Sequence, residues 1–205
     1  MEKIDFKKEW KELYQPSRSE WRLVNVPDLQ YLMVDGQGDP NTAVEYTQAL
    51  EALYAVAYRL KFFSKKQGRD YVVPPLEGLW WAENMDAFSA ARNKSQWDWT
   101  MMIMTPDWIT HPTFLQAQKG ARDNKELPAA RKLQLKTYRE GLSVQILHLG
   151  SYDEEGPALA HLHQEWMPEN GFDFNGKHHE VYLNDPRKVA PDKLKTILRQ
   201  PVRKK

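Results

Sequence analysis

Residues 144–166 read VQILHLGSYDEEGPALAHLHQEW, and residues 31–53 read YLMVDGQGDPNTAVEYTQALEAL. Laid side by side, both run from an apolar, strand-like stretch through glycine and an acidic turn into an alanine-containing helix. Outward from the second copy, HHEVYL (178–183) and KLKTILRQPV (193–202) read as two further strands. Outward from the first, a strand around Leu79–Ala82 follows the prolines of DYVVPPLEGLWWAE, and QWDWTMMIMTP is a strand that stops at Pro106. Each half is strand, helix, strand, strand. The expectation is an α+β fold, a pseudo-twofold duplication within one domain over 1–205. Module one spans about 20–104, a helical insertion about 105–132 and module two about 133–202. Within module one, Leu23–Val26 and Tyr31–Val34 are strands, and apolar Leu50, Leu53, Ala57 and Leu60 recur at helical spacing. Thr42 and Glu45 stand at capping-box spacing ahead of that helix. The segment from Asp107 to about Arg131 is helical in pattern, with Pro112 and Pro128 as breakers. If each unit lays one helix on one face of a small antiparallel sheet, the other faces form a concave floor between the modules. Such an interface is a usual place for a ligand cleft.

Composition narrows what that cleft can serve. The 205 residues carry 29 Lys plus Arg against 28 Asp plus Glu, so no overall field draws the chain to nucleic acid or an anionic membrane. The basic end RQPVRKK reads as a solvated tail. With no cysteine there is no disulfide, thiolate metal site or cysteine nucleophile. No apolar run approaches the roughly 18 residues of a membrane span. The start, MEKIDFKKEWKELYQ, lacks the continuous apolar stretch of a signal peptide, and the expected location is the cytoplasm. Glycine-rich phosphate loops and the G-x-S-x-G elbow are missing, and no cofactor is expected. The aromatic content of 12%, with eight Trp, is the outlying feature. Buried Trp needs a partner for its ring N–H, and a minority of these rings could line a pocket.

Glu180 is the residue that stands out. Strand alternation places His178, Glu180 and Tyr182 on one face and His179, Val181 and Leu183 on the other. The Val–Leu face is expected to pack against the helices, turning Glu180 and Tyr182 toward the open face. An ionised carboxylate on an apolar floor must be solvated, protonated, paired or matched by a ligand. Glu180 is then either an edge residue paired with a Lys or Arg, or the group that recognises a cationic or hydrogen-bonding ligand or orients a water. The proposed repeat puts EGLWWAE where HHEVYL lies in module two, so Trp80 or Trp81 approaches the same cleft. Along QWDWTMMIM, Trp97, Trp99 and Met101 share a face, and this face is the one taken to complete the aromatic wall. Such walls around one carboxylate suit flat hydrophobic or cationic small molecules. His148 is a candidate second polar group and Tyr152 a candidate for the pocket mouth. His178 and His179 point to opposite faces, and His161 and His163 lie about 200° apart on a helix, so no metal site is expected.

Four stretches, GLWWAE, WDWTMMIMTPDWI, EGLSVQILHLGSYDEEGPALAHL and GKHHEVYLNDPRKVAPDKLKTILRQPV, together resemble the GyrI-like (gyrase-inhibitor-like) small-molecule-binding family in its stand-alone branch. The likeness runs from about Tyr71 to Val202. It implies duplicated modules around an aromatic pocket with an acidic residue inside, matched here by Glu180 in HEVYLNDP. Relatives serve as effector domains of multidrug-responsive activators, joined to a helix-turn-helix domain. Only about 20 residues precede the first expected strand here, too few for that domain. Stand-alone members are associated with hydrolysis of cyclopropane-bearing DNA-alkylating compounds. That resemblance implies Glu180 as acceptor of a water proton and Tyr182 as its helper, orienting the water or donating to the developing anion. Trp80, with Trp97 or Trp99, would hold the flat ring system. A module that binds without turnover is the alternative, and no protein partner is indicated.

Overall fold

A computed structural model describes residues 2–82, 94–125 and 127–205, the side chains of Asn124 and Lys125 apart. Its strands are β1 (Lys3–Ile4), β2 (Arg22–Val26), β3 (Leu29–Gln37), β4 (Asp70–Tyr71), β5 (Leu76–Trp81), β6 (Asp98–Met104), β7 (Gln134–Tyr138), β8 (Gly141–Leu149), β9 (Phe172–Phe174), β10 (His178–Tyr182) and β11 (Lys195–Lys204). Its helices are α1 (Phe6–Glu9), α2 (Lys11–Tyr14), α3 (Val44–Lys66), α4 (His111–Lys125), α5 (Gly156–His161) and α6 (Met167–Glu169), and a π-helical turn, Leu162–Trp166, joins the last two. Among the described residues, nine strands form one antiparallel sheet in the order β2-β8-β11-β10-β5-β6-β3-β7, with β9 added alongside β11. The fold is α+β. Read outward from the β10–β5 seam, the order is β10, β11, β8, β2 one way and β5, β6, β3, β7 the other.

Register assigns the faces. Glu180 pairs with Gly78 on one side and Leu198 on the other, and His178 pairs with Trp80, which pairs with Trp99. Directly paired residues share a face, so Glu180, His178, Trp80, Trp99, Met101 and Leu198 look the same way. Tyr46 of α3 packs on Trp80 and Trp99. Leu162 and Met167 of the second helical run pack with Val144 and Leu198. Both helices therefore lie on the Glu180 face and flank it. The Val181 face is covered instead by α2, through Tyr14 to Glu77 and Arg199 to the Leu13 carbonyl. This reverses the expectation from alternation. In a strand covered on both sides, an apolar residue does not say which layer covers it.

Three local differences have separate causes. α3 begins at Val44 with Ala43 at its cap and no side-chain cap bond, because Asp39 gathers the preceding turn: its side chain accepts from Asn41 N–H and its carbonyl from Thr42 and Ala43. Glu45 pairs with Lys132 instead of closing a box. Pro112 does not break α4 but sits in its first turn, where a missing N–H costs no helical bond. Gly36 is not a turn residue; it lies within β3, where the Trp99 indole occupies the space any Cβ would need.

Candidate functional site

The site forms where β10 meets β5 on the helix-bearing face. Tyr182 donates its hydroxyl hydrogen to Glu180 Oε2 at 2.7 Å, and its oxygen accepts from Trp80 Nε1 at 2.9 Å. Trp80 can lie across the seam because Gly78 stands beside it. A Cβ on Gly78 would come within 2.7 Å of that indole nitrogen. The other carboxylate oxygen, Glu180 Oε1, faces His178 Nε2 at 3.4 Å, and the two side chains are 14% and 9% exposed. Trp97 meets Trp80 edge to face at 5.7 Å, Tyr152 meets Tyr182 likewise at 5.6 Å, and Tyr46 closes on Trp80 at 6.3 Å. Burial, reinforced by the Glu180 charge, pushes the Tyr182 and Tyr46 phenols upward and Tyr152 to about 12. These phenols stay neutral at ordinary pH. The arrangement is one carboxylate held by a fixed hydroxyl and enclosed by aromatic rings, suited to a planar or cationic ligand.

Of the residues singled out by sequence, Glu180, Tyr182, Trp80, Trp97 and Tyr152 are brought together. Trp81 points to the opposite face, where Lys177 Nζ sits 3.0 Å over its ring. Trp99 is fully buried beneath Tyr46 and belongs to the core. His148 shares the face but is tied to its own turn, Nε2 lying 3.1 Å from the Ser151 carbonyl. Sequence reasoning assigned no role to Tyr46, His178 or His163. Alternation already put His178 beside Glu180, whereas Tyr46 required knowing which face α3 covers. His163 sits in the π-helical turn, with Nε2 buried and no hydrogen-bond partner among the described residues. Burial, aided by repulsion from His178, pushes it down to about 4.

Behind the site, across the sheet, lies a different polar cluster. His179 Nδ1 lies 2.8 Å from Glu140 Oε1 and Nε2 lies 2.9 Å from Glu77 Oε2. Ionised carboxylates only accept, so both ring nitrogens donate and His179 is an imidazolium. Burial opposes this charge, but Glu140 and the two hydrogen bonds outweigh it and raise His179 to about 9. Arg199 donates to Glu140, Gln145 and the Leu13 carbonyl, and Tyr14 and Tyr31 donate to Glu77. Burial alone would raise Glu140, yet His179 and Arg199 hold its carboxyl below the ordinary range.

Comparison with known proteins places this architecture. The family model of the GyrI-like small molecule binding domain matches residues 19–203. An uncharacterised conserved protein from Listeria innocua shares 40% identity with a TM-score of 0.89, the match covering 98% of this chain and 100% of that one. A hydrolase from Listeria innocua shares 40% identity over the same fractions with a TM-score of 0.87. The C-terminal domain of EcmrR, at 12% identity, 91% and 98% coverage and a TM-score of 0.56, shares the fold alone. No curated protein matches the sequence. With the family model spanning nearly the whole chain and 40% identity to full-length relatives, this chain belongs to the GyrI-like small molecule binding domain family.

Proposed function

We propose that this protein binds flat hydrophobic or cationic small molecules in the cytoplasm and hydrolyses electrophilic, cyclopropane-bearing DNA-alkylating compounds. The observation that carries the reading is Glu180, a carboxylate largely buried among aromatic rings and oriented by the Tyr182 hydroxyl at 2.7 Å. Its 40% identity to a hydrolase from Listeria innocua supports an enzyme. On this reading the chain is one domain whose two modules, about 20–104 and 133–202, meet at the β10–β5 seam, with about 105–132 as an insertion between them.

The chemistry follows from the donors and acceptors. Ring opening needs water at the strained carbon and a place for its proton. The water oxygen forms the new C–O bond while the strained C–C bond breaks. Its electron pair moves into the conjugated carbonyl, and Glu180 takes the water proton. That proton then passes to the product oxygen or to solvent, completing net addition of one water. Tyr182 acts as a positioning residue here, because its hydrogen is already given to Glu180. Trp80, Trp97 and Tyr152 hold the ring system against the carboxylate, and placement supplies much of the acceleration.

The test is chromatography with mass detection of a cyclopropane-bearing DNA alkylator incubated with catalytic amounts of protein. Wild type is expected to form the water-added product over many turnovers, and Glu180→Gln to lose about 100- to 10,000-fold in rate while still binding. Stoichiometric binding without product would replace hydrolysis with a sequestering or signalling module. Equal conversion by the variant would remove Glu180 from the chemistry.

A further inference from the structure

Glu180 has two oxygens, and among the described residues only Oε2 receives a full hydrogen bond, from Tyr182. Oε1 faces His178 Nε2 at 3.4 Å, a separation long for a hydrogen bond and close enough for attraction. Both side chains project from the same face of β10, two residues apart, with Trp80 paired directly across from His178 and Gly78 and Leu198 flanking Glu180. His178 is nine-tenths buried, and neither of its ring nitrogens makes a hydrogen bond to another described residue. A buried imidazole with both nitrogens unbonded is costly unless some state of the site uses them. The Glu180 carboxylate is an acceptor standing close to one of them.

We propose that His178 is a positioning residue, which in its Nε2–H tautomer donates to Glu180 Oε1 and, with Tyr182 on Oε2, fixes the carboxylate from both sides for the incoming ligand. Contacts of this length in ligand-free sites commonly tighten once the ligand is bound. The tautomer leaves Nδ1 as a buried lone pair. His163 packs edge-on against Phe174 from the π-helical turn, a kind of helix irregularity frequent at functional sites. Its burial keeps it neutral at ordinary pH, so it sets no positive charge against the site.

The proposal rests on Glu180 being the working carboxylate, and its test separates the two. Nitrogen-15 spectra of the histidine rings read the tautomer directly, without turnover. His178 is expected as Nε2–H in wild type and as a tautomer mixture in Glu180→Gln. An Nδ1–H ring in wild type, or a spectrum indifferent to Glu180→Gln, would overturn the assignment whether or not the protein hydrolyses anything. In the turnover assay, with folding checked by thermal unfolding, His178→Leu is expected to lower kcat about 100-fold at nearly unchanged KM. His178→Gln, which can present an amide N–H in place of Nε2–H, is expected to recover at least about tenfold of that loss. A His178→Leu enzyme as fast as wild type, or a Gln variant no better than Leu, sinks the donor role. If wild type itself turns nothing over, hydrolysis fails, and the spectra still decide the His178–Glu180 contact.

Discussion

The two faces of β10 carry similar groups in opposite conditions. On one, His179 is gripped by two carboxylates, Arg199 balances the second negative charge, and two tyrosines and the Gln145 amide take remaining valences. On the other, Glu180 has one strong bond, His178 has none among the described residues, and the surroundings are aromatic. Burial alone does not distinguish a structural ion cluster from a ligand site. What distinguishes them is whether the polar atoms are already used. The His179 side is complete in itself, so its energy is spent on holding α2, β8, β10 and β11 together. The Glu180 side keeps hydrogen-bonding capacity that no described residue fully takes up.

The largest way to break that contrast is to unbalance the closed side. Glu140→Ala leaves His179 and Arg199 with one carboxylate between them, and losing one partner of a buried pair costs about 3–5 kcal/mol. Chemical denaturation should show that loss, whereas Glu180→Gln should change stability by no more than about 1 kcal/mol. Comparable losses from the two variants would mean that Glu180 is a structural residue too.

A smaller effect comes from pH. His179 is raised in the folded state from an ordinary 6.5 to about 9, so its contribution is complete below 6.5 and lost as the pH rises through 9. Glu140 is shifted down, so its contribution is complete above its ordinary 4.5 and lost as the pH falls through its lowered folded value. Stability should therefore be greatest between those two ordinary values and decline on both sides. A denaturation midpoint that stays level from about pH 6.5 to about pH 9.5 would show that His179 is neutral in the fold.

How much of this the sequence carries depends on the kind of residue. The long strands and α3 are legible because their apolar spacing repeats over many residues. Glu180 is legible because a charge within a strand pattern conflicts with its setting. The face that α3 covers is not legible: β10 is buried on both sides, so alternation separates its residues into two sets without naming either set's neighbour. The His179 cluster escapes for a related reason. Glu77, Glu140, His179 and Arg199 come from three strands and a connection, at sequence separations of 39 to 102 for the His179 contacts. Periodicity within a segment holds no information about such pairings. The short β1, β4 and β9 offer too few residues for a pattern to emerge.

The sharpest small-scale comparison uses two adjacent residues. Trp80 and Trp81 are chemically identical and one pleat apart, so strand alternation alone sends them to opposite faces. Trp80 donates to Tyr182 and stands against Trp97 and Tyr46; Trp81 lies under Lys177. Replacing Trp80 with Leu removes both a wall of the site and the donor that sets the Tyr182 oxygen. Affinity for a planar cationic probe should fall about tenfold, equivalent to about 1.4 kcal/mol. Trp81→Leu removes a cation–π contact worth about 0.5–1 kcal/mol to folding. It should leave probe affinity within about twofold, a change below 0.5 kcal/mol. Fluorescence titration of both variants decides between the faces. Equal loss of affinity would mean that ligands reach around the sheet edge or that the seam is not their site, whereas loss confined to Trp80 places the ligand on the Glu180 side of β10.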